Sequence, residues 1–267
     1  MMLYPRIIPC LLIHNKGLVK TIKFKDPKYV GDPINAVKIF NEKEVDELIV
    51  LDIDTSVNKS EPDYKLIENL AAECRMPLCY GGGIKTVEQA VRIFSLGVEK
   101  IAISSLVVQN PVIVKEIGEI VGTQSVVVVL DIKKVIKNDK YEVYIHNGSV
   151  ATGIDPVYLA RELENWGVGE IVINSIDNDG TMNGYDIDLI EKVRNVIDIP
   201  LTVLGGAGTL DDIGKLIHRY GIIGAGAGSL FVFKGKFRAV LINYPTQSEK
   251  EALMNKYFKN YLLSARN

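Results

Sequence analysis

The feature that most constrains this chain is a long internal repeat. Asp46-Glu47-Leu48-Ile49-Val50 returns as Gly169-Glu170-Ile171-Val172-Ile173, an offset of 123 positions from Glu47 to Glu170. Met76-Pro77-Leu78-Cys79-Tyr80-Gly81-Gly82 returns, with one gap, as Ile199-Pro200-Leu201-Thr202-Val203-Leu204-Gly205-Gly206. Ser105-Leu106-Val107 returns as Ser229-Leu230-Phe231. Solenoid units are far shorter than this. The repeat instead divides the chain into two related halves, about 1–122 and 123–245, followed by a helical tail at 246–267.

The local pattern tells the same story. Short apolar runs that read as strands lie at 6–13, 46–52, 77–80, 99–103, 125–131, 169–175, 200–204 and 222–226. They are almost uninterrupted, as strands buried on both faces of a parallel sheet must be. Amphipathic segments separate them at 33–43, 64–74, 86–95, 111–120, 155–165, 186–196 and 209–219, with another near 247–263. Asp63, Asp155-Pro156 and Thr209 to Asp212 supply helix-capping side chains. Asn110-Pro111 places a proline in a first helical turn. Eight strand–helix units in two matching halves predict an α/β fold: a single (β/α)8 TIM barrel with pseudo-twofold symmetry. An open doubly wound sheet is the alternative. The length of 267 residues fits one barrel or two small domains, and the repeat favours the barrel. The segment 133–148 alternates polar and apolar residues about Asn138-Asp139, and reads as an inserted hairpin or a solvated charged loop.

Composition excludes several classes. Thirty-one basic against 33 acidic residues leave a net charge of −2, without the excess of an electrostatic nucleic-acid binder. No run of about 18 apolar residues suggests a membrane span or signal peptide, so the expected compartment is the cytoplasm. Cys10, Cys74 and Cys79 form no CxxC, and His14, His146 and His218 share no metal spacing. Neither a metal nor a cofactor is expected.

Chemistry concentrates at predicted strand ends. Gly81-Gly82-Gly83 and Gly205-Gly206-Ala207-Gly208 are Gly-rich turns after strands three and seven. Ser104-Ser105 and Gly226-Ala227-Gly228-Ser229 follow strands four and eight, and the repeat pairs all four loops. Such loops let backbone N–H groups, a helix N-terminus and a serine hydroxyl approach a phosphate. Two symmetric sites imply a ligand phosphorylated at both ends, or descent from one. Tight strand–helix turns are the plainer use of the same glycines.

Carboxylates gather at the same face: Asp52 and Asp54, Asp131, and Asp177 with Asp179-Gly180. Asp131 ends a five-residue apolar run, where a charge is costly without a task or partner. It is the foremost candidate for acid–base work. Lys20 and Lys133 are candidate partners of these acids or of a ligand phosphate. At the opposite end Arg6, Glu47, Lys100 and Glu170 lie at strand starts, where they would ring the barrel axis. Charges at that mouth serve stability, a gate or a docking surface.

These residues, with Arg6-Ile7-Ile8, Cys10-Leu11, Gly31-Asp32-Pro33, Leu51-Asp52-Ile53, Ser175-Ile176-Asp177, Thr181 and Gly184-Tyr185-Asp186, resemble the cyclase subunit of imidazole glycerol phosphate synthase over nearly the whole chain. The resemblance implies a barrel fed with ammonia by a separate glutaminase subunit in a heterodimer. Ammonia would enter past Arg6, Glu47, Lys100 and Glu170. At the other face two aspartates would act on a doubly phosphorylated ribulose intermediate, in histidine biosynthesis.

Two departures qualify that. The family's second catalytic aspartate falls on Leu12, and the internal repeat makes Leu12 the mate of Asp131. The family's asparagine–threonine phosphate loop is replaced by Ser104-Ser105. Cys10-Leu11-Leu12 and the run Gly31 to Val37 look like the cyclase paralogues of surface-polysaccharide (O-antigen) pathways. That branch implies conversion of an acetamido to an acetamidino sugar, beside a partner resembling asparagine synthetase. Asp131 would orient the nucleophile or substrate. Lys20, Asp52, Asp179, Gly180 and the Gly/Ser loops would hold a phosphate or diphosphate, such as a nucleotide sugar carries. The alternatives are a histidine-pathway cyclase using Asp131 alone or with Asp52, and a non-catalytic barrel that only activates its glutaminase.

Overall fold

The computed structural model describes residues 4–135, 137 and 139–264. Eight parallel strands close into a barrel: β1 Arg6–His14, β2 Leu48–Asp52, β3 Leu78–Gly81, β4 Lys100–Ile103, β5 Val126–Val135, β6 Glu170–Ser175, β7 Leu201–Leu204 and β8 Gly224–Ala227. Each strand pairs with the next, and β8 returns to β1 through Arg6 opposite Gly224 and Ile8 opposite Gly226. Seven principal helices fill the connections: α1 Pro33–Glu42, α2 Tyr64–Glu73, α3 Val87–Ser95, α4 Ile113–Val121, α5 Pro156–Asn165, α6 Ile187–Arg194 and α7 Leu210–Tyr220. Their apolar faces pack on the outside of the strands, through Phe40, Leu70, Ile93, Ile117, Leu163, Val193 and Ile217. A second, smaller core fills the barrel itself: Ile8, Cys10, Ile49, Cys79, Ala102, Val127, Val129, Val172 and Leu204.

The helix starts follow their capping chemistry. Asp63 accepts from the Leu66 N–H, Asp155 from those of Val157 and Tyr158, and Thr209 with Asp212 forms a reciprocal capping box. One expectation is corrected. Pro111 does not sit in the first turn of α4, which begins at Ile113. Ile113 and Val114 N–H groups instead reach back three residues to the carbonyls of Asn110 and Pro111, so the proline belongs to a tighter lead-in turn.

The two halves are built alike at the level of single hydrogen bonds. Asp54 accepts from the Asn15 backbone N–H (2.6 Å), and Asp177 accepts from the Lys134 N–H (2.9 Å). Ile53 N–H donates to Ile13 O, and Ile176 N–H donates to Ile132 O. A Cβ on Gly82 would stand 2.4 Å from the Asp52 carbonyl, and one on Gly205 would stand 2.6 Å from that of Ser175. Those glycines, both at positive φ, let the loops after β3 and β7 cross close above β2 and β6.

Three antiparallel hairpins rise from the C-terminal face. Gly17–Ile22 and Lys25–Gly31 extend β1 outward, a hairpin the sequence reading leaves out. β5 runs unbroken to Val135 and returns as Lys140–Ile145, with Val150–Ala151 beyond. The 133–148 segment is therefore a hairpin continuous with strand five. Its proposed turn falls partly on Asn138, outside the described residues. Phe233–Lys234 with Ala239–Val240 forms a third hairpin after β8. The last described residues form α8 Gln247–Leu253, a π-helical turn at Met254–Phe258 and the helix Lys259–Ser264. Among the described residues no helix is long and apolar enough to cross a membrane.

Candidate active site

The C-terminal ends of the strands surround one cavity. Its lining includes Leu12, Lys20, Asp52, Gly82, Gly83, Ser104, Ser105, Asp131, Asn174, Asp179, Gly180, Gly205, Gly206, Gly228 and Ser229. Lys20, Asp52, Asp179, Gly180 and residues of all four Gly/Ser loops thus meet Asp131 in one place. Lys133 does not. It is exposed, with Nζ 5.7 Å from the centre of the Tyr144 ring on the hairpin outside. Alternation alone would place Lys133 on the same face as Asp131, but two residues further on the strand has passed the barrel rim into the antiparallel hairpin, where Lys133 lies opposite Glu142. Asp54 and Asp177 are also absent from the lining. They tie loop backbone to the rim, and Asp54 holds His14 Nδ1 at 2.6 Å.

The floor of the cavity is asymmetric. Asp131 lies opposite Asn174 in the β5–β6 register, and Asn174 Nδ2 donates to Asp131 Oδ1 at 3.0 Å. The equivalent β1–β2 pair is Leu12 opposite Leu51. One half of the barrel therefore presents a carboxylate and an amide, the other two leucines. Burial pushes the Asp131 carboxyl up to about 7, against the Asn174 hydrogen bond and with help from the negative Asp179. A carboxyl poised there can hold or release a proton near neutral pH, which suits acid–base work.

The surrounding charges are anchored. Lys20 Nζ donates to the Cys10 carbonyl (2.5 Å), and burial lowers its pKa. Asp179 accepts from Thr21 Oγ1 (2.6 Å) and the Phe24 N–H (3.2 Å), so it fastens the first hairpin to the cavity rim. Burial raises its pKa too. Asp52 Oδ1 caps the turn after β2, accepting from the N–H groups of Asp54 (2.9 Å) and Thr55 (3.2 Å), and is likewise raised by burial. Ser105 Oγ accepts from the His146 N–H (3.2 Å), while Asn147 Nδ2 donates to Ile53 O (2.6 Å). The second hairpin therefore reaches over the Ser104–Ser105 loop.

At the other end of the barrel the predicted ring is closed. Arg6 bridges Glu47 and Glu170, with Nη2 at 2.7 Å from Glu170 Oε1. Lys100 Nζ stands 2.8 Å from Glu47 and 2.9 Å from Glu170. Thr202 Oγ1 donates to Glu170 Oε1 at 2.5 Å. Burial works against each charge, yet the opposite charges prevail: Arg6 and Lys100 are raised and Glu170 is lowered. Thr202 escaped the sequence reading. Its repeat mate is Cys79, so symmetry offered no polar signal there.

Between ring and cavity lies the apolar inner core. Cys10 and Cys79 belong to it, and burial pushes the Cys10 thiol up to about 11 and that of Cys79 well above its ordinary value. Both remain neutral. The barrel axis thus runs from a charged mouth, through an uncharged column, to a polar cavity. Among the described residues no cluster of three or more His, Cys, Asp or Glu could hold a metal ion.

Comparisons with known proteins agree with one another. The family model described as histidine biosynthesis protein matches residues 6–238. A relative from Vibrio vulnificus (strain YJ016), provisionally named imidazole glycerol phosphate synthase subunit hisF3, is 58% identical over 250 residues, 94% of this chain and 96% of its own length. A protein of Leptospira interrogans with the provisional name imidazole glycerol phosphate synthase subunit HisF is 58% identical over 252 residues, 94% of this chain and 99% of its own. The imidazole glycerol phosphate synthase subunit HisF of Natranaerobius thermophilus is 37% identical over 250 residues, with coverage of 94% and 99%.

Proposed function

Since this chain belongs to the histidine biosynthesis protein family, among its HisF-like members, we propose that it is the synthase subunit of a glutamine amidotransferase complex. A separate glutaminase docks at the N-terminal mouth and releases ammonia there. Neutral ammonia crosses the ring of Arg6, Glu47, Lys100 and Glu170 and the apolar column behind it. It meets a phosphorylated ligand in the cavity, where Asp131 orients nucleophile or substrate and the Gly/Ser loops with Lys20 hold the phosphate. The product is an acetamidino sugar for surface polysaccharide, made together with an amidotransferase of the asparagine-synthetase kind.

One observation carries this reading: Leu12 and Leu51 stand where the other half has Asp131 and Asn174. Leucine neither donates nor accepts a proton, so a reaction needing a carboxyl at both of these symmetric strand ends lacks one. A second reading, the cyclase of histidine biosynthesis, draws on the Asp131–Asn174 hydrogen bond and on the names of the relatives. Growth separates the two. The gene is expected to leave a cyclase-deficient histidine auxotroph unable to grow without histidine, even when its glutaminase is supplied. Growth at the rate given by an authentic cyclase would overturn the first reading.

A further inference from the structure

The two ends of the cavity differ in charge, and the source is a residue outside its lining. The hairpin after β8 turns at Gly235 (φ 75°), and Arg238 is itself left-handed at φ 48°. Its N–H donates to the Gly235 carbonyl at 3.0 Å. Its guanidinium lies beside the ring of Phe233, Cζ 4.8 Å from the centroid. Nη2 reaches the Gly180 carbonyl (3.3 Å) and Ser229 Oγ (3.5 Å). Gly180 and Ser229 both line the cavity. Among the described residues no carboxylate oxygen lies within 4 Å of Arg238 or of Lys20. Lys20 approaches the same loop: a Cβ on Gly228 would stand 2.6 Å from its Nζ. Two basic side chains, neither ion-paired among the described residues, therefore flank Gly228–Ser229.

The equivalent loop of the first half is not built this way. Ser105, the mate of Ser229, takes the His146 N–H, and Asn147 lies beside it. Lys85, on the loop after β3, is outside the cavity lining and gives its Nζ to the carbonyls of Lys59 (2.8 Å) and Ser60 (3.1 Å). A half-buried guanidinium with unused N–H donors and no acid partner has a planar fork that matches a phosphate. We propose that Arg238 is an anion-binding residue of this cavity. With Lys20 it makes the Gly228–Ser229 end the seat of a phosphate or diphosphate, and leaves the Ser104–Ser105 end to the less charged, hydroxyl-bearing part of the ligand. The substrate class is thus a sugar phosphorylated at one end. This rests on the cavity being a phosphorylated-ligand site.

The test is calorimetric titration of the full chain with inorganic pyrophosphate, and with inorganic phosphate in parallel. Wild-type protein is expected to bind. R238Q is expected to lose at least about tenfold in pyrophosphate affinity, the worth of one charge-assisted hydrogen bond, and R238K to fall between. K236Q, on the same exposed turn, is expected to stay within about twofold. Pyrophosphate is also expected to protect Arg238 of the wild type from phenylglyoxal modification, read by mass spectrometry, which needs no variant to fold. If wild type binds while R238Q matches it and Arg238 is unprotected, the Arg238 assignment fails and the cavity reading stands. If wild type binds neither anion, both fail.

Discussion

Asp131→Asn is expected to lower ammonia-dependent turnover by roughly 10²–10⁴-fold, the usual worth of a positioned acid–base group. The substitution keeps the size of the side chain and a carbonyl oxygen to face Asn174, so thermal stability should change little. The loss should appear in kcat more than in KM, because the phosphate-holding loops are untouched. The pH profile supplies the sharper signature. Burial raises the Asp131 carboxyl to about 7. Its ionised form orients an attacking nitrogen, so wild-type rate should rise as pH increases through about 7, and the variant should lack that limb. Equal rates for the Asp131→Asn variant and wild-type protein at pH 8, with ammonium as nitrogen source, would remove Asp131 from the chemistry.

Arg6→Met is expected to cost about 3–5 kcal/mol, because it leaves Glu47 and Glu170 facing each other in the barrel mouth with only Lys100 between them. Denaturant unfolding reads this directly. The pH dependence has a definite sign. Glu170 is held below the ordinary glutamate range in the folded state. Its contribution is therefore present above the unfolded-state pKa and lost as pH falls through the folded one. The gap between Arg6→Met and wild type should narrow under acid conditions. Lys100→Ala should reduce stimulation of the partner glutaminase as well. If Arg6→Met unfolds at the wild-type midpoint, the ring contributes no stability. If Lys100→Ala stimulates glutaminase normally, the ring is not the partner's gate.

Symmetry explains how much of this was legible in sequence. The repeat placed Glu47 and Glu170 as equivalent, and both do hold Arg6 and Lys100. It also identified Leu12 as the mate of Asp131, and the strand register repeats that equivalence at Leu51 and Asn174. Features lying outside the repeat were harder to see. The hairpin Gly17–Gly31 turns through Lys23 and Phe24, both left-handed without a glycine, and its outer strand is mostly exposed. Neither turn chemistry nor apolar alternation could announce it. The Phe233–Val240 hairpin has strands of only two residues, too short for any period. Asn174 could have been found: it is the one amide side chain within the predicted strands. The apolar run before Asp131 set it apart in sequence, whereas the use of Asp54 and Asp177 to hold the N–H groups of Asn15 and Lys134, away from the cavity, shows only in three dimensions.

The central claim is that Leu12 separates this barrel from a two-acid cyclase. The direct measurement is conversion of the doubly phosphorylated ribulose intermediate, with ammonium as nitrogen source, by wild-type and Leu12→Asp protein. Wild type is expected at background and Leu12→Asp about 10² above it, since a restored acid–base group is worth at least that much. Turnover by wild type equal to or faster than Leu12→Asp would contradict the account.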